Sequence, residues 1–506
     1  MQDDLSFCRL NKGRPLEFVI GIDSSTQSTK AIAWDCNGNS LAEGRSSIPM
    51  SELGDGGFEQ NPEDWWVSFI AAVSELGTQI DLSKARAIAI SNQRETVGFL
   101  DQNGEAIRPA LVWLDERARD SVAEFNAEFS PEFLHRITGK PPDLTPVVYR
   151  LYWLAKHEPG TLAATHIIVD VHGYLTLRLT GKYCASWTSA DPMGCFDITT
   201  KEWSEEIIFS IGLSRSQFAG AMQPGSCIGM VSEAAAEATG LPRGLVVIAA
   251  GGDGQCAGLG VNAVRAGRAY LNLGTAQIMG AWGAEPIAAR DWRTMCSPTG
   301  DGYFYEGVLR AGTFLIDWFV RKFLASESDP AVLSALEDQA SELPVGSHGV
   351  VVSPYLSGCM NPHWRMDAAA AIVGMRADHG SCHVYRAILE ALTGEAVRTV
   401  IAMKARGVAI DRIIAVGGGA NSRLWCQMLA DASGLPLQVS DSLEASSLGA
   451  AVTAAKGLGW YPDFDSAAAG MTHARDPLEP SLRNRVAWGS LLERQDQLNR
   501  LLITQT

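Results

Sequence analysis

Hydrophobic and polar positions along the chain switch between a two-residue and a helical period. Over Glu17 to Asp23 (EFVIGID) an apolar, β-branched run stops at a cluster of Ser and Thr, the pattern of a buried strand entering a tight turn. Lys30 to Trp34 (KAIAW) then meets Asp35 to Asn39 (DCNGN), whose Asn-Gly is a strong hairpin signal, and leads into Ser40 to Arg45. A three-stranded meander is predicted. The period becomes helical over Pro62 to Leu76, with Asn61 as N-cap and Pro62 at the first helical position, and returns to a buried strand at Ala87 to Ser91.

A similar opening recurs mid-chain. Ala269 to Gly280 (AYLNLGTAQIMG) reads as strand, Gly-Thr turn and strand, which suggests an ancestral duplication, although two hairpins in one chain also arise without one. Cys382 to Arg406 follows as a long helix, then Arg412 to Val416 as a strand ending at Gly417, Gly418 and Gly419, with Asn421 and Ser422 as cap candidates for a helix through Asp431. Strand, glycine turn and helix in that order suit a nucleotide site. The halves divide near Gly260 to Arg268, taken as 17–262 and 263–480. Residues before Leu16 read as an N-terminal arm, and the amphipathic tail after Pro480 could cover a core or a neighbouring subunit, leaving a homodimer open.

Composition narrows the classes. The 506 residues, 46% hydrophobic and 19% charged, suffice for at least two cores. With 41 Lys plus Arg against 57 Asp plus Glu, and no basic cluster, nucleic acid is not an expected partner. Apolar runs such as Gly244 to Gly251 fall far short of the ~20 residues a membrane helix needs, and the start carries no signal-peptide core, so no membrane and a cytoplasmic location are expected. The ten cysteines form no CxxC pair, which suits reduced thiols.

Candidate chemistry sits at strand ends. Asp23 to Lys30 (DSSTQSTK) places a carboxylate, hydroxyls and a cation in one turn, able to cradle phosphoryl oxygens while Asp23 orients hydrated magnesium; the alternative is an ordinary polar turn. Leu271 to Ala276 offers Gly274 and Thr275 for the same purpose. Asp253, after the apolar run Val246 to Gly252, could accept the proton of an attacking hydroxyl, or belong to a plain Asp-Gly turn. Gln93, Arg94 and Glu95 could bind neighbouring hydroxyls of a polyol or form a surface ion pair, with Trp113, Asp115 and Arg117 completing a pocket.

Together these residues resemble the FGGY family of carbohydrate kinases from about Phe18 to Gly459. The most specific stretch is Ala370 to Glu390, where Ala370, Ile372, Gly374, Met375, His383, Val384, Ala387, Ile388, Leu389 and Glu390 fall at the spacing of the family's second signature. Thr145 to Leu154 is a weaker match to the first, with Arg150 where the family usually has Lys. The resemblance implies an α/β fold of two ribonuclease-H-like (actin/hexokinase-type) domains around a central cleft. It implies Ser25, Thr26 and Lys30, Gly274 and Thr275 as phosphate-binding, Gly417, Gly418, Gly419 and Asn421 as adenosine-binding with Glu444 to Ala451 behind them, and Asp253 as general base. Asp23, with Asp253, would hold Mg²⁺ mostly through water. Ser25 replaces the family's glycine, and Gly254 stands where relatives often carry Gln or Asn, leaving Gln255 as a substitute.

The expected reaction is phosphorylation by ATP of a primary hydroxyl on a small polyol or ketose. Gln93 to Thr96 looks like glycerol kinase, whereas Phe58 to Trp66 and Pro354 to Gly358 look like xylulokinase, which makes D-xylulose the leading acceptor. Glycerol, erythritol or another pentulose such as ribulose is the alternative; outside the kinases stand an actin-like ATPase, a phosphate hydrolase and a silent sugar sensor.

Overall fold

Both predicted hairpins form, and each opens a six-stranded mixed sheet in the computed structural model, which describes residues 17–324, 326–327 and 329–504. The N-terminal arm expected before Leu16 lies outside the described residues. The first sheet contains β1 (Phe18–Ser24), β2 (Ser28–Trp34), β3 (Ser40–Ser47), β4 (Ala85–Asn92), β5 (Cys227–Met230) and β6 (Val246–Gly252). The second contains β7 (Gly267–Leu273), β8 (Gln277–Gly283), β9 (Arg293–Cys296), β10 (Tyr303–Leu309), β11 (Ile410–Val416) and β12 (Leu437–Val439). Without the edge strands β5 and β9, the orders are β6-β4-β1-β2-β3 and β12-β11-β7-β8-β10. Each is an antiparallel meander continued by two parallel strands. This is the ribonuclease-H-like arrangement, present twice, as the internal repeat implied.

The elements follow from their residues. Every residue of β1 is buried, because helices cover both faces of its sheet. Helix α1 (Pro62–Gly77) starts where Asn61 accepts from the Glu63 amide, and it turns Trp65, Phe69, Val73 and Leu76 toward β2 and β3. The other helices used below are α2 (Val147–His157), α3 (Asp253–Gly260), α4 (Thr313–Phe323), α5 (Pro330–Ser341), α6 (Ser381–Ala405), α7 (Arg423–Ser433), α8 (Ala445–Gly457), α9 (Phe464–Met471) and α10 (Arg485–Thr504). Ser422 caps α7 by accepting from the Trp425 amide; Asn421 belongs to the short turn before it. The tail helix α10 covers a core of its own chain, burying Trp488 and Leu491 and donating from Asn499 to Tyr355 and Glu395.

One placement departs from expectation. The segment Glu444 to Ala451 was expected behind the glycine turn. Instead it opens α8, which crosses back and packs on β1, β4, β6 and α3. The predicted division at 262/263 falls between α3 and β7, but α8 and α9 return to the first sheet, sharing a core with Val19, Ile32 and Ile248. Small residues allow this approach: a Cβ on Gly449 would lie 1.8 Å from the Cys256 carbonyl oxygen, and one on Gly260 2.0 Å from that of Ala445. Gly449→Ala should therefore destabilise the fold by about 1–3 kcal/mol through overpacking. Gly489→Ala, on an exposed part of α10 with open space around it, should be neutral or stabilise by up to about 1 kcal/mol. Urea midpoints of the two variants check this; equal midpoints would mean that α3 and α8 are not in backbone contact.

Candidate active site

The C-terminal ends of β1, β4 and β6 lie side by side, with Asp23 opposite Ser91 and Asn92 opposite Gly252. This edge is where open α/β sheets place ligands. It brings together Asp23, the Gln93 to Thr96 turn and Asp253 at the start of α3. Gly251 permits the last turn: its φ is +132°, and a Cβ there would lie 2.0 Å from the Thr188 hydroxyl.

A chain of ion pairs crosses from this edge to the second sheet. Arg94 Nε lies 2.9 Å from Asp253 Oδ1, and its Nη1 lies 2.9 Å from Glu306 Oε2. Arg293 continues it, with Nη2 2.5 Å from Glu306 Oε1 and Nη1 2.8 Å from Glu95 Oε1. Arg94, Arg293, Glu306 and Glu95 are buried, whereas the Asp253 side chain is 40% exposed. Burial pushes the Glu306 carboxyl up, but Arg94 and Arg293 outweigh it and hold it at about 2. Burial raises Glu95 despite Arg293 and Arg94.

Buried polar groups position this chain. Arg150 donates to the carbonyls of Glu95 (2.5 Å), Thr145 (2.8 Å) and Trp113 (3.3 Å), so the guanidinium found in place of lysine ties three pocket segments together. Glu95 itself holds a left-handed φ of +54°. Gln255 accepts from Arg94 Nη1 at 3.2 Å. Gln60 gathers the loops beneath, accepting from Trp65 and Gln93 and donating to the Thr26 carbonyl.

Two cavities open along the cleft. The smaller, about 360 Å³, is lined by Arg94, Glu95, Trp113, Asp253, Ile278 and Arg310, among others. The larger, about 830 Å³, is lined by Thr313, Glu337, Tyr385, Gly418, Gly419 and Asn421, among others. Thr275 and Phe314 line both, so the β7–β8 turn is the junction between them.

The other expected residues fall into place around this junction or outside it. Gln93 and Gln255 are buried and do not line the smaller cavity; Gln93 bonds to Gln60 and Thr96. Asp115 and Arg117 pair with each other, and Asp115 also accepts from the Phe58 amide, so they support the wall rather than face the cavity. Trp113 lines it, and its indole donates to the Thr26 hydroxyl at 2.9 Å. Lys30 pairs with Glu444 at 2.5 Å. Ser25 closes its turn on the Ser28 carbonyl and takes no left-handed φ, which is why it can replace glycine. The Gly274 carbonyl accepts from the Thr313 amide and anchors α4. Gly417 needs its φ of +91°, and a Cβ there would lie 2.5 Å from Asn272 Oδ1. Gly418 has open space on the cavity side, letting a ligand meet bare backbone.

Asp23 bears on a cation. Burial first, and then the Asp253 charge, push its carboxyl up to about 7, a repulsion that a divalent ion between the two carboxylates would relieve. Among the described residues no group of three or more His, Cys, Asp or Glu is placed to hold a metal, so such an ion would complete its shell with phosphate oxygens and water, as magnesium does. The residues fit magnesium.

Arg293, Glu306 and Arg310 were not anticipated. Glu306 and Arg310 had a signal, two charges four residues apart in the otherwise apolar run YFYEGVLRAG; Arg293, outside that run, had none.

Comparison with known proteins agrees with this geometry. Residues 18–260 match the N-terminal domain of the FGGY family of carbohydrate kinases, and residues 269–458 match its C-terminal domain. The chain belongs to that family. The kinase is 27% identical over 487 residues to a xylulose kinase of Bacillus subtilis, covering 94% of this chain and 96% of that one. It is 27% identical over 504 residues to an autoinducer-2 kinase of Klebsiella pneumoniae, covering 95% and 93%. The crystal structure of a xylulose kinase from Rhodospirillum rubrum superposes with a TM-score of 0.90 at 26% identity, covering 96% of this kinase and 99% of that chain. Among the described residues no helix is long and apolar enough to cross a membrane.

Removing the shared carboxylate should expose the energetics of the charge chain. Glu306→Gln leaves Arg94 and Arg293 underpaired while buried and should destabilise the kinase by about 3–5 kcal/mol at pH 7. Exposed Glu493→Gln should change it by less than about 0.5 kcal/mol. The Glu306 carboxyl is depressed from its ordinary 4.5 to about 2 in the folded state. Its contribution is therefore fully present above about pH 4.5 and fades as pH falls toward 2, so the gap between wild type and variant should shrink over that window. Urea denaturation from pH 7 to 3 measures it; a gap independent of pH would remove Glu306 from the account.

Proposed function

We propose that this carbohydrate kinase transfers the γ-phosphoryl group of ATP to a primary hydroxyl of a small ketose, with D-xylulose as the leading acceptor. The observation that carries this reading is the junction at Thr275, which joins a cavity large enough for a nucleotide to a smaller one where Asp253 presents a partly exposed carboxylate. Nucleotide on the glycine-turn side and sugar on the Asp253 side would meet across that turn.

Asp253 takes the proton of the attacking hydroxyl as its oxygen bonds to phosphorus and the bond to the β-phosphate oxygen breaks, leaving ADP. Arg94 and the Gly254 amide both hold Oδ1, at 2.9 and 2.7 Å, so Oδ2 is left to receive that proton. Trp113 offers an apolar face to C–H edges, and Glu95 and Arg94 line the wall that would bind sugar hydroxyls. The Thr275 hydroxyl and the bare backbone at Gly418 hold polyphosphate and nucleotide. Magnesium, held by Asp23 and Asp253 through water, would neutralise phosphate charge. Closure around both ligands excludes water, which would otherwise compete as acceptor.

Xylulose is favoured by the two xylulose kinase relatives and by the segment Phe58 to Trp66, whose Gln60 ties the pocket loops. An autoinducer-2 kinase at the same identity keeps the acceptor choice experimental. A coupled ADP-release screen over xylulose, ribulose, erythritol and glycerol decides it: xylulose should give the highest kcat/KM, and ADP release independent of any acceptor would indicate an ATPase instead. Asp253→Asn should lower kcat at least ~10²-fold while calorimetry shows a nearly unchanged ATP affinity, Asp23 still holding the magnesium. Normal turnover in that variant would exclude Asp253 as the base.

A further inference from the structure

Three arginines line the smaller cavity, and two of them are committed. Arg94 pairs with Asp253 and Glu306, and Arg293 with Glu306 and Glu95. Arg310 is half-buried on the same wall, and among the described residues it has neither an ion-pair nor a hydrogen-bond partner. A cation facing a cavity without a counter-charge is matched to an anion that arrives with the ligand.

Its position identifies which anion. Beyond the Leu309–Gln277 pair the Gln277 amide donates to the Ala311 carbonyl at 3.1 Å and the Thr313 amide to that of Gly274, so the chain from Arg310 to Gly312 runs past the β7–β8 turn, and Arg310 lines the smaller cavity together with Thr275 and Ala276, where the cavities join. Glu306 and Val308 share one face of β10, which ends at Leu309; Arg310 follows at a bend and lines the same cavity as Val308. Arg310 makes no pairing with the ion-pair chain, although it lines the same cavity as Arg94, Glu95 and Asp253. That chain contains Asp253, Glu306 and Glu95 against Arg94 and Arg293, and so carries one excess negative charge. A phosphoryl group approaching Asp253 meets that charge and needs a positive group on the acceptor side of the junction. Arg310 lines only the acceptor cavity, and its planar guanidinium can bind two phosphoryl oxygens at once.

We propose that Arg310 is an anion-binding residue of the acceptor cavity that holds the phosphoryl group as it leaves ATP and arrives on the sugar. The inference rests on the kinase reading above. A carboxylate carried by the acceptor would present the same chemistry, and the test separates the two sources.

Arg310→Met removes the charge and keeps most of the stem; Arg310→Lys keeps the charge and loses the fork. With the sugar that wild type phosphorylates fastest, Arg310→Met should lower kcat ~10²- to 10³-fold, with the affinities for ATP and free sugar changed less than about threefold by calorimetry. Arg310→Lys should recover about tenfold or more of kcat. The phosphate ester of that sugar, titrated without turnover, should bind Arg310→Met at least about tenfold more weakly, whereas the free sugar should not. A kcat within about threefold of wild type, or equal binding of the ester, would overturn the proposal. So would wild type preferring gluconate over D-xylulose with the loss in Arg310→Met confined to gluconate, which would assign Arg310 to the acceptor's own carboxylate. If no sugar is phosphorylated, the kinase reading has failed separately; D-xylulose 5-phosphate binding still decides Arg310, and no difference between wild type and variant counts against it.

Discussion

Five charged side chains, Asp253, Arg94, Glu306, Arg293 and Glu95, are held in one line, and four of them are buried. Taking ions out of water costs several kcal/mol each unless every one finds its partner. Arg94, Glu95 and Asp253 come from the first half of the chain, and Arg293 and Glu306 from β9 and β10 of the second. Two of the four pairings, Arg94 with Glu306 and Arg293 with Glu95, join the halves, so the arrangement in which the two sheets face each other is the one that completes both. The same arrangement presents Asp253 at the free end of the line, fixed through one oxygen and open at the other. Structural necessity and the placement of Asp253 are one constraint.

The remaining contacts between the halves reinforce that arrangement. Strand β9 is seated on the first half by buried polar bonds: the Thr294 carbonyl accepts from Lys140 at 3.1 Å, its amide donates to the Gly139 carbonyl at 2.8 Å, and the Cys296 amide donates to Asp191. Helix α8 crosses to the first sheet, where Ser447 donates to the Gly21 carbonyl and Ser446 to that of Asp253 itself. Asp253 is therefore held from its own strand, from the facing sheet through Arg94 and Glu306, and from α8 of the second half. The junction at Thr275 sits opposite, on a turn whose carbonyls anchor α4.

Much of this was legible in the residues. The apolar run of β1, the Asn37-Gly38 turn, the Asn61 cap of α1 and the bounds of α6 all follow from local rules, because each depends on neighbours within a few positions. The crossing of α8 was not legible: an Ala-rich helix buries as well on one sheet as on the other, and only Gly449 meeting Cys256 in space decides between them. Gln93, Asp115 and Gln255 stand beside lining residues in sequence, but their side chains turn into the support beneath the cavity, a distinction that depends on partners such as Gln60 far along the chain. Glu306 and Arg310 were missed because a charge within an apolar strand has meaning only once the facing sheet is known.

Transfer to the sugar requires that Asp253 meet the acceptor at the junction. A crystal structure with a non-hydrolysable ATP analogue and D-xylulose bound tests this most directly. A primary hydroxyl is expected within about 2.6–3.2 Å of the Asp253 carboxylate and in line with the γ-phosphorus beside Thr275. A bound sugar whose hydroxyls all lie outside that reach, with nucleotide and sugar both in place, would contradict it.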